Sequence, residues 1–186
     1  VTSDGTYFLT RLADYLKNST HIQLHIVGHS AGSIFQAHSL ARLFKIDETL
    51  KVDSLHLMAP AISYPLFNET LAPLIESEHI ASTTVYNLSG PLEKDDHVAR
   101  IYQKSLLYLV SNAFESKTAM PLLGMAAFNA PIANVTFKYS EGKEGDSTAA
   151  TSHGGFDSDV DTMNSVLTDI TGGSPKYPFT KAILDY

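Results

Sequence analysis

Apolar positions recur along this chain at two different spacings, and the two spacings alternate. Phe8, Leu12, Tyr15 and Leu16 fall at helical steps behind Ser3, a residue type that caps helices, and Asn18-Ser19-Thr20 breaks the pattern. Gln23 to Gly28 is a short, mostly apolar run (Leu24, Ile26, Val27) that suits a buried strand. Ile34, Ala37, Ala41 and Phe44 return to helical steps. Residues 52–58 read as a second strand ended by Ala59-Pro60, and Thr83–Leu88 as a third stopped by Ser89-Gly90-Pro91. Tyr102, Leu106, Leu109 and Ala113 predict a long helix, and Val135, Phe137 and Tyr139 alternate within a fourth strand, Asn134–Tyr139. Residues 140–155 are polar and glycine-rich, hence loop. Val160, Met163, Leu167 and Ile170 mark a last helix, ended by Gly172-Gly173 and Pro175. Strands separated by helices predict an α/β fold, a mostly parallel sheet with helices on both faces. No internal repeat or linker divides it, so the 186 residues read as one domain.

Composition narrows the function classes. An apolar fraction of 44% with 18% charged residues is that of a globular chain. The net charge is −7 and the 13 basic residues form no run, which argues against a nucleic-acid-binding surface. With no cysteine, thiolate nucleophiles, disulfides and cysteine-ligated zinc are excluded. No apolar run approaches the roughly 20 residues of a membrane span. No basic stretch leads into an apolar one at the N-terminus, which favours a cytoplasmic setting.

The candidate chemistry sits at the first strand-to-helix junction, Gly28-His29-Ser30-Ala31-Gly32. A strand that turns at once into a helix forces its middle residue into a strained conformation, and the flanking positions must be small because neighbouring backbone passes close. Ser30 is thereby exposed at the carboxyl edge of the sheet as a nucleophile, and the Ala31 amide, at the start of a helix, can donate to a developing oxyanion. An apolar strand before and an amphipathic helix after are the context this mechanism demands.

The stretch Ile26-Val27-Gly28-His29-Ser30-Ala31-Gly32-Ser33 resembles the nucleophile elbow of the α/β hydrolases, the esterase and lipase fold. The resemblance implies a chain order of serine, acid, histidine, with the acid after the strand two beyond the elbow and the histidine after the last strand. Just past Thr83–Leu88, Gly90-Pro91-Leu92-Glu93-Lys94-Asp95-Asp96-His97-Val98 is similar to the family's glycine-to-aspartate loop. Asp95 fits its spacing best, and Asp96 and Glu93 compete with it. Ser152-His153-Gly154-Gly155-Phe156 lies after the fourth strand and precedes a helix, like the family's histidine loop. Of the eight histidines only His153 has that order and loop; His25 and His56 lie in strands, His38 in a helix and His29 within the elbow, where an ordinary core or surface role is expected.

The resemblance covers nearly all of this chain but not all of the family, whose members carry several strands before the elbow where this chain has 22 residues before Gln23. The N-terminal part of the fold is therefore expected to be missing, and the loop bearing the second oxyanion donor with it. One consequence is that 23–27 becomes an open apolar sheet edge, which predicts self-association into a homo-oligomer through it. Other patterns read as structural. Asp157, Asp159 and Asp161 start like a calcium loop, but Thr162 and Thr168 stand where its glycine and closing glutamate belong, so these acids are expected to favour a helix N-terminus. Residues 61–80 form either a lid or an ordinary packing helix, and 119–131 either a pocket wall or core. The expectation is a serine esterase or lipase-like enzyme acting on a small-molecule ester without metal or cofactor, with an inactive hydrolase-fold binding module as the alternative.

Overall fold

The computed structural model describes residues 4–19, 21–96, 104–115 and 117–185. Four strands, β1 (His25–His29), β2 (Ser54–Met58), β3 (Thr83–Leu88) and β4 (Val135–Ser140), form one parallel sheet in the order β1-β2-β3-β4. The register pairs His25 with Ser54, Leu55 with Thr83 and Thr83 with Val135. Parallel neighbours need a crossover each, supplied by α2 (Gly32–Ile46), α3 (Tyr64–Glu76) and the segment of α4 (Gly90–Asp95) and α5 (Leu106–Leu109). α1 (Asp4–Lys17) precedes the sheet, and α6 (Val160–Thr171) and α7 (Lys181–Leu184) follow it.

Side-chain alternation splits the core in two. Leu55, Leu57 and Val85 point to one face and pack with Ala13 of α1, Ala37, Leu40 and Leu43 of α2, and Phe67, Leu71 and Ile75 of α3. Met58, Tyr86 and Leu88 point to the other, against Val166 of α6 and against Phe156, which precedes that helix. The Tyr86 hydroxyl and Ser165 Oγ, 3.2 Å apart, tie α6 to that face. Helices thus cover both faces, as the alternation of patterns predicts.

Several details differ from the sequence reading. α1 forms, but it buries Ala13 with Leu9 and Leu16 partly covered, while Phe8 and Tyr15 are 63% and 60% exposed. Periodicity fixes a helix; which of two adjacent apolar stripes is buried depends on what packs against it. The long helix expected over 102–113 is α5 followed at once by a wide π turn, Val110–Phe114, with Leu107 and Ser111 buried rather than Leu109 and Ala113. Tyr102 and the expected cap Ser3 lie outside the described residues, as do His97 and Val98. The helix within 61–80 packs its apolar side on the core through Phe67, Leu71 and Ile75, and Leu122, Leu123 and Met125 are fully buried. Among the described residues no helix is long and apolar enough to cross a membrane.

Candidate active site

All four strands run the same way, so the loops after their carboxyl ends gather at one edge of the sheet, where open α/β sheets hold their ligands. Ser30 follows β1, Asp96 follows α4 beyond β3, and His153 lies in the loop after β4.

Ser30 has φ 53°, the left-handed region, which costs a non-glycine residue roughly 1–2 kcal/mol. Hydrogen bonds hold it there. Its amide donates to the Met58 carbonyl at 2.9 Å, and its own carbonyl accepts from Ser33 Oγ at 2.7 Å and from the Ala61 amide at 3.1 Å. Ser33 Oγ in turn accepts from the Ile62 amide at 3.0 Å, locking the turn to the segment after β2. The demand for small neighbours is one-sided. A Cβ on Gly28 would stand 3.2 Å from the Gly32 carbonyl carbon and 3.4 Å from Gln36 Cγ, whereas a Cβ on Gly32 would meet nothing within 4 Å. Gly28 is needed so that strand and helix backbones can close on each other; Gly32 provides the backbone it closes on. Ala31 stands in helical conformation just before α2, where amides find no carbonyl a turn earlier to bond.

His153 Nε2 lies 2.8 Å from Ser30 Oγ, across a sequence separation of 123 residues. The imidazole is buried, and burial first, then the neighbouring His29 imidazole, push its pKa down to about 4, with Asp96 pulling the other way. It is therefore neutral at pH 7, with Nε2 free to accept the Ser30 proton when Nδ1 carries the hydrogen.

The acid nearest this base is Asp96. Its Oδ2 accepts from the His153 backbone amide at 2.8 Å, and its charge favours the protonated imidazole. Asp95, the better fit to the family spacing, is the last residue of α4 and its side chain is exposed. One residue later the chain leaves the helix in an extended conformation (φ −66°, ψ 155°), and that step turns Asp96 toward His153. Glu93, the third competitor, is buried inside α4 and does not join the pair. Among the described residues neither of its carboxyl oxygens has a hydrogen-bond partner, and burial raises its pKa to about 7 against a smaller pull from the Ala126 amide.

Sequence reasoning missed His29. It ends β1, its Nε2 donates to the His153 carbonyl at 2.8 Å, and its Nδ1 lies 3.6 Å from Asp157 Oδ2. The available signal was strand alternation. His25, Val27 and His29 share one face of β1, the side of the sheet on which Met58 and Tyr86 pack with Phe156, and the His153 turn precedes α6 by four residues.

The acids after the loop have structural work. Asp159 caps α6 by accepting from the Thr162 amide at 2.9 Å and also accepts from the Ala149 amide at 2.8 Å, while Asp161 accepts from the Gly145 amide at 3.0 Å. Among the described residues no group of three or more histidines and acids is arranged to hold a metal ion.

No family model matches the chain, and neither a curated protein nor a solved structure matches it.

Proposed function

We propose that this chain is a serine hydrolase of the α/β-hydrolase type, cleaving carboxylic esters through Ser30, His153 and Asp96. The reading is carried by one observation: a serine strained into positive φ at a strand-to-helix turn stands 2.8 Å from the Nε2 of a buried, neutral histidine. A structural serine needs neither the strain nor the base. The order serine, acid, histidine along the chain adds support.

In this mechanism Ser30 Oγ bonds to the ester carbonyl carbon while its proton passes to His153 Nε2. The carbonyl oxygen takes the negative charge and accepts from the Ala31 amide. Collapse expels the alcohol, which takes its proton from His153 Nε2 and leaves an acyl group on Ser30. Water then repeats the sequence, giving its proton to His153 and releasing the acid and free Ser30. Asp96 holds the His153 loop through the backbone amide and stabilises the imidazolium that forms twice per turnover.

Turnover of a short-chain p-nitrophenyl ester tests the reading, with Ser30→Ala and His153→Ala alongside. The expected result is activity in the parent and loss to background in both variants. Equal background rates in all three proteins would leave the alternative, a hydrolase-fold binding module.

We also propose that β1 is where two copies meet. It is an edge strand, and it is flanked by a cavity of about 380 Å³ lined by Phe8, Leu12, Leu24, Ile26 and Phe35. Phe35 is exposed there, and Val27 adds exposed apolar surface on the other face of the strand. A two-fold interface brings a patch onto its own copy, so it must be self-complementary. An uncharged apolar edge meets that condition, where a charged one would repel itself.

A further inference from the structure

We propose that His29 is a positioning residue for the base, gripping the His153 carbonyl so that the turn bearing the nucleophile also fixes the group that activates it. The inference rests on the hydrolase reading for its kinetic consequences, and its geometry stands apart from that reading.

His29 and Ser30 are consecutive, and both touch His153. Ser30 Oγ meets the imidazole at Nε2, and His29 Nε2 meets the backbone carbonyl, each at 2.8 Å. A carbonyl has no proton to give, so His29 must donate from Nε2, which fixes the hydrogen on that nitrogen. The other polar group of the His153 backbone, its amide, donates to Asp96 Oδ2. The base is therefore pinned by its main chain on two sides, from the end of β1 and from the end of α4. The peptide lies in a short 3-10 turn with glycines at 154 and 155, closed by one bond from the Gly155 amide to the Ser152 carbonyl at 3.0 Å, which leaves the His153 carbonyl for His29.

Position matters because His153 has to face two different oxygens in one turnover, Ser30 Oγ and then the leaving alcohol, and a displacement of about 1 Å can cost 10²-fold in rate. His29 is itself steadied. The Phe156 ring meets it edge-on at 6.4 Å between centroids, and Asp157 Oδ2, 3.6 Å from Nδ1, pairs with it only when that nitrogen also carries a proton. Phe156 and Asp157 follow the histidine loop directly, so the contact is reciprocal: β1 holds the loop, and the loop holds the ring that holds it. Among the described residues, the charged and titratable groups facing His153 are His29 and Asp96, with Asp157 behind His29.

The test compares His29→Phe, which keeps a ring and removes the donor, with His29→Gln, whose side-chain amide can donate to the same carbonyl. The expected kinetic result is a drop of about 10- to 100-fold in kcat for the Phe variant at nearly unchanged KM, with most of it recovered by Gln. The second measurement is NMR of the His153 ring and of the Gly154 amide nitrogen, which shares a peptide bond with the His153 carbonyl. Both should shift in the Phe variant and stay near their parental positions in Gln at neutral pH. Unchanged His153 and Gly154 signals in a folded Phe variant overturn the proposal, with or without ester turnover. If the parent turns over no ester, the hydrolase reading falls, and a selective shift in the Phe variant still supports the grip. Equal kcat in an active parent and its Phe variant also overturns it.

Discussion

Asp96 accepts a hydrogen bond from the backbone amide of His153 at 2.8 Å, while Asp95, its immediate neighbour, ends α4 with its carboxylate in solvent. This one-residue difference separates two variants that charge alone would make equivalent. Asp96→Asn should lower kcat by roughly 10²–10⁴-fold, because the imidazolium loses its counter-charge. Asp95→Asn should stay within about twofold of the parent, as surface changes away from the chemistry do. Steady-state kinetics on the pair decide it, and the reverse ranking would restore Asp95 as the acid.

The pH profile follows from His153. The base must be neutral, and burial with the His29 imidazole holds its pKa near 4. Ester turnover should therefore rise with pH through about 4 and be level from 6 to 8, rather than rising through the ordinary histidine range. A profile of kcat/KM between pH 3.5 and 8 reads this directly; an inflection near 6.5 would contradict it.

Stability carries two opposing proton linkages. His153 has a folded pKa of about 4 against an ordinary 6.5, so between those values the unfolded chain holds a proton the folded one lacks. That contribution is complete above pH 6.5 and is lost as pH falls toward 4. Glu93 has a folded pKa of about 7 against 4.5, so its contribution is complete below pH 4.5 and is lost as pH rises to 7. Each amounts to about 3 kcal/mol, and they nearly cancel between pH 4.5 and 6.5. Glu93→Gln removes one side. The variant should gain stability with rising pH across that window and exceed the parent at pH 8, where the parent buries an unpaired carboxylate. Burial of His56 lowers its pKa too and acts in the same direction as His153. Urea midpoints at pH 5 and 8 give the slope, and a Glu93→Gln protein weaker than the parent at pH 8 sinks the assignment.

The two glycines around Ser30 should respond differently. Gly28→Ala pushes a methyl group against the Gly32 backbone and should cost about 1–3 kcal/mol, displacing Ser30 with a loss of activity. Gly32→Ala meets open space at the start of α2 and should be neutral or stabilising by up to about 1 kcal/mol. Thermal melts of the two variants make the comparison.

Self-association through β1 predicts a dimer in size-exclusion chromatography with light scattering, and Val27→Lys, a charge on the edge strand, should return it to monomer. A monomeric parent protein at high concentration refutes this interface.

Four strands and their order in the chain were legible in the sequence, because each depends on local chemistry. Thr83–Leu88 is a strand with the bounds its composition predicts, and Gly172 ends α6 in the left-handed conformation expected of a helix-terminal glycine. Ser30 was legible for the same reason, since the small residues that permit the turn are its neighbours.

What failed to show in the sequence depends on distant partners. Whether Phe8 or Leu9 faces the core is decided by where α2 lies, not by the period of α1. Asp95 and Asp96 are the same residue type in adjacent positions, and spacing cannot separate them. The choice between them comes from the backbone dihedrals where α4 ends and from the His153 amide that the β4 loop carries to that point. His29 read as an ordinary histidine within the elbow until the chain returned 124 residues later with a carbonyl for it to hold. Sequence by itself determined the elements and the chemistry each can offer. Only the tertiary structure decided which groups meet, because a hydrogen bond is fixed by distances of about 3 Å that chain separation does not encode.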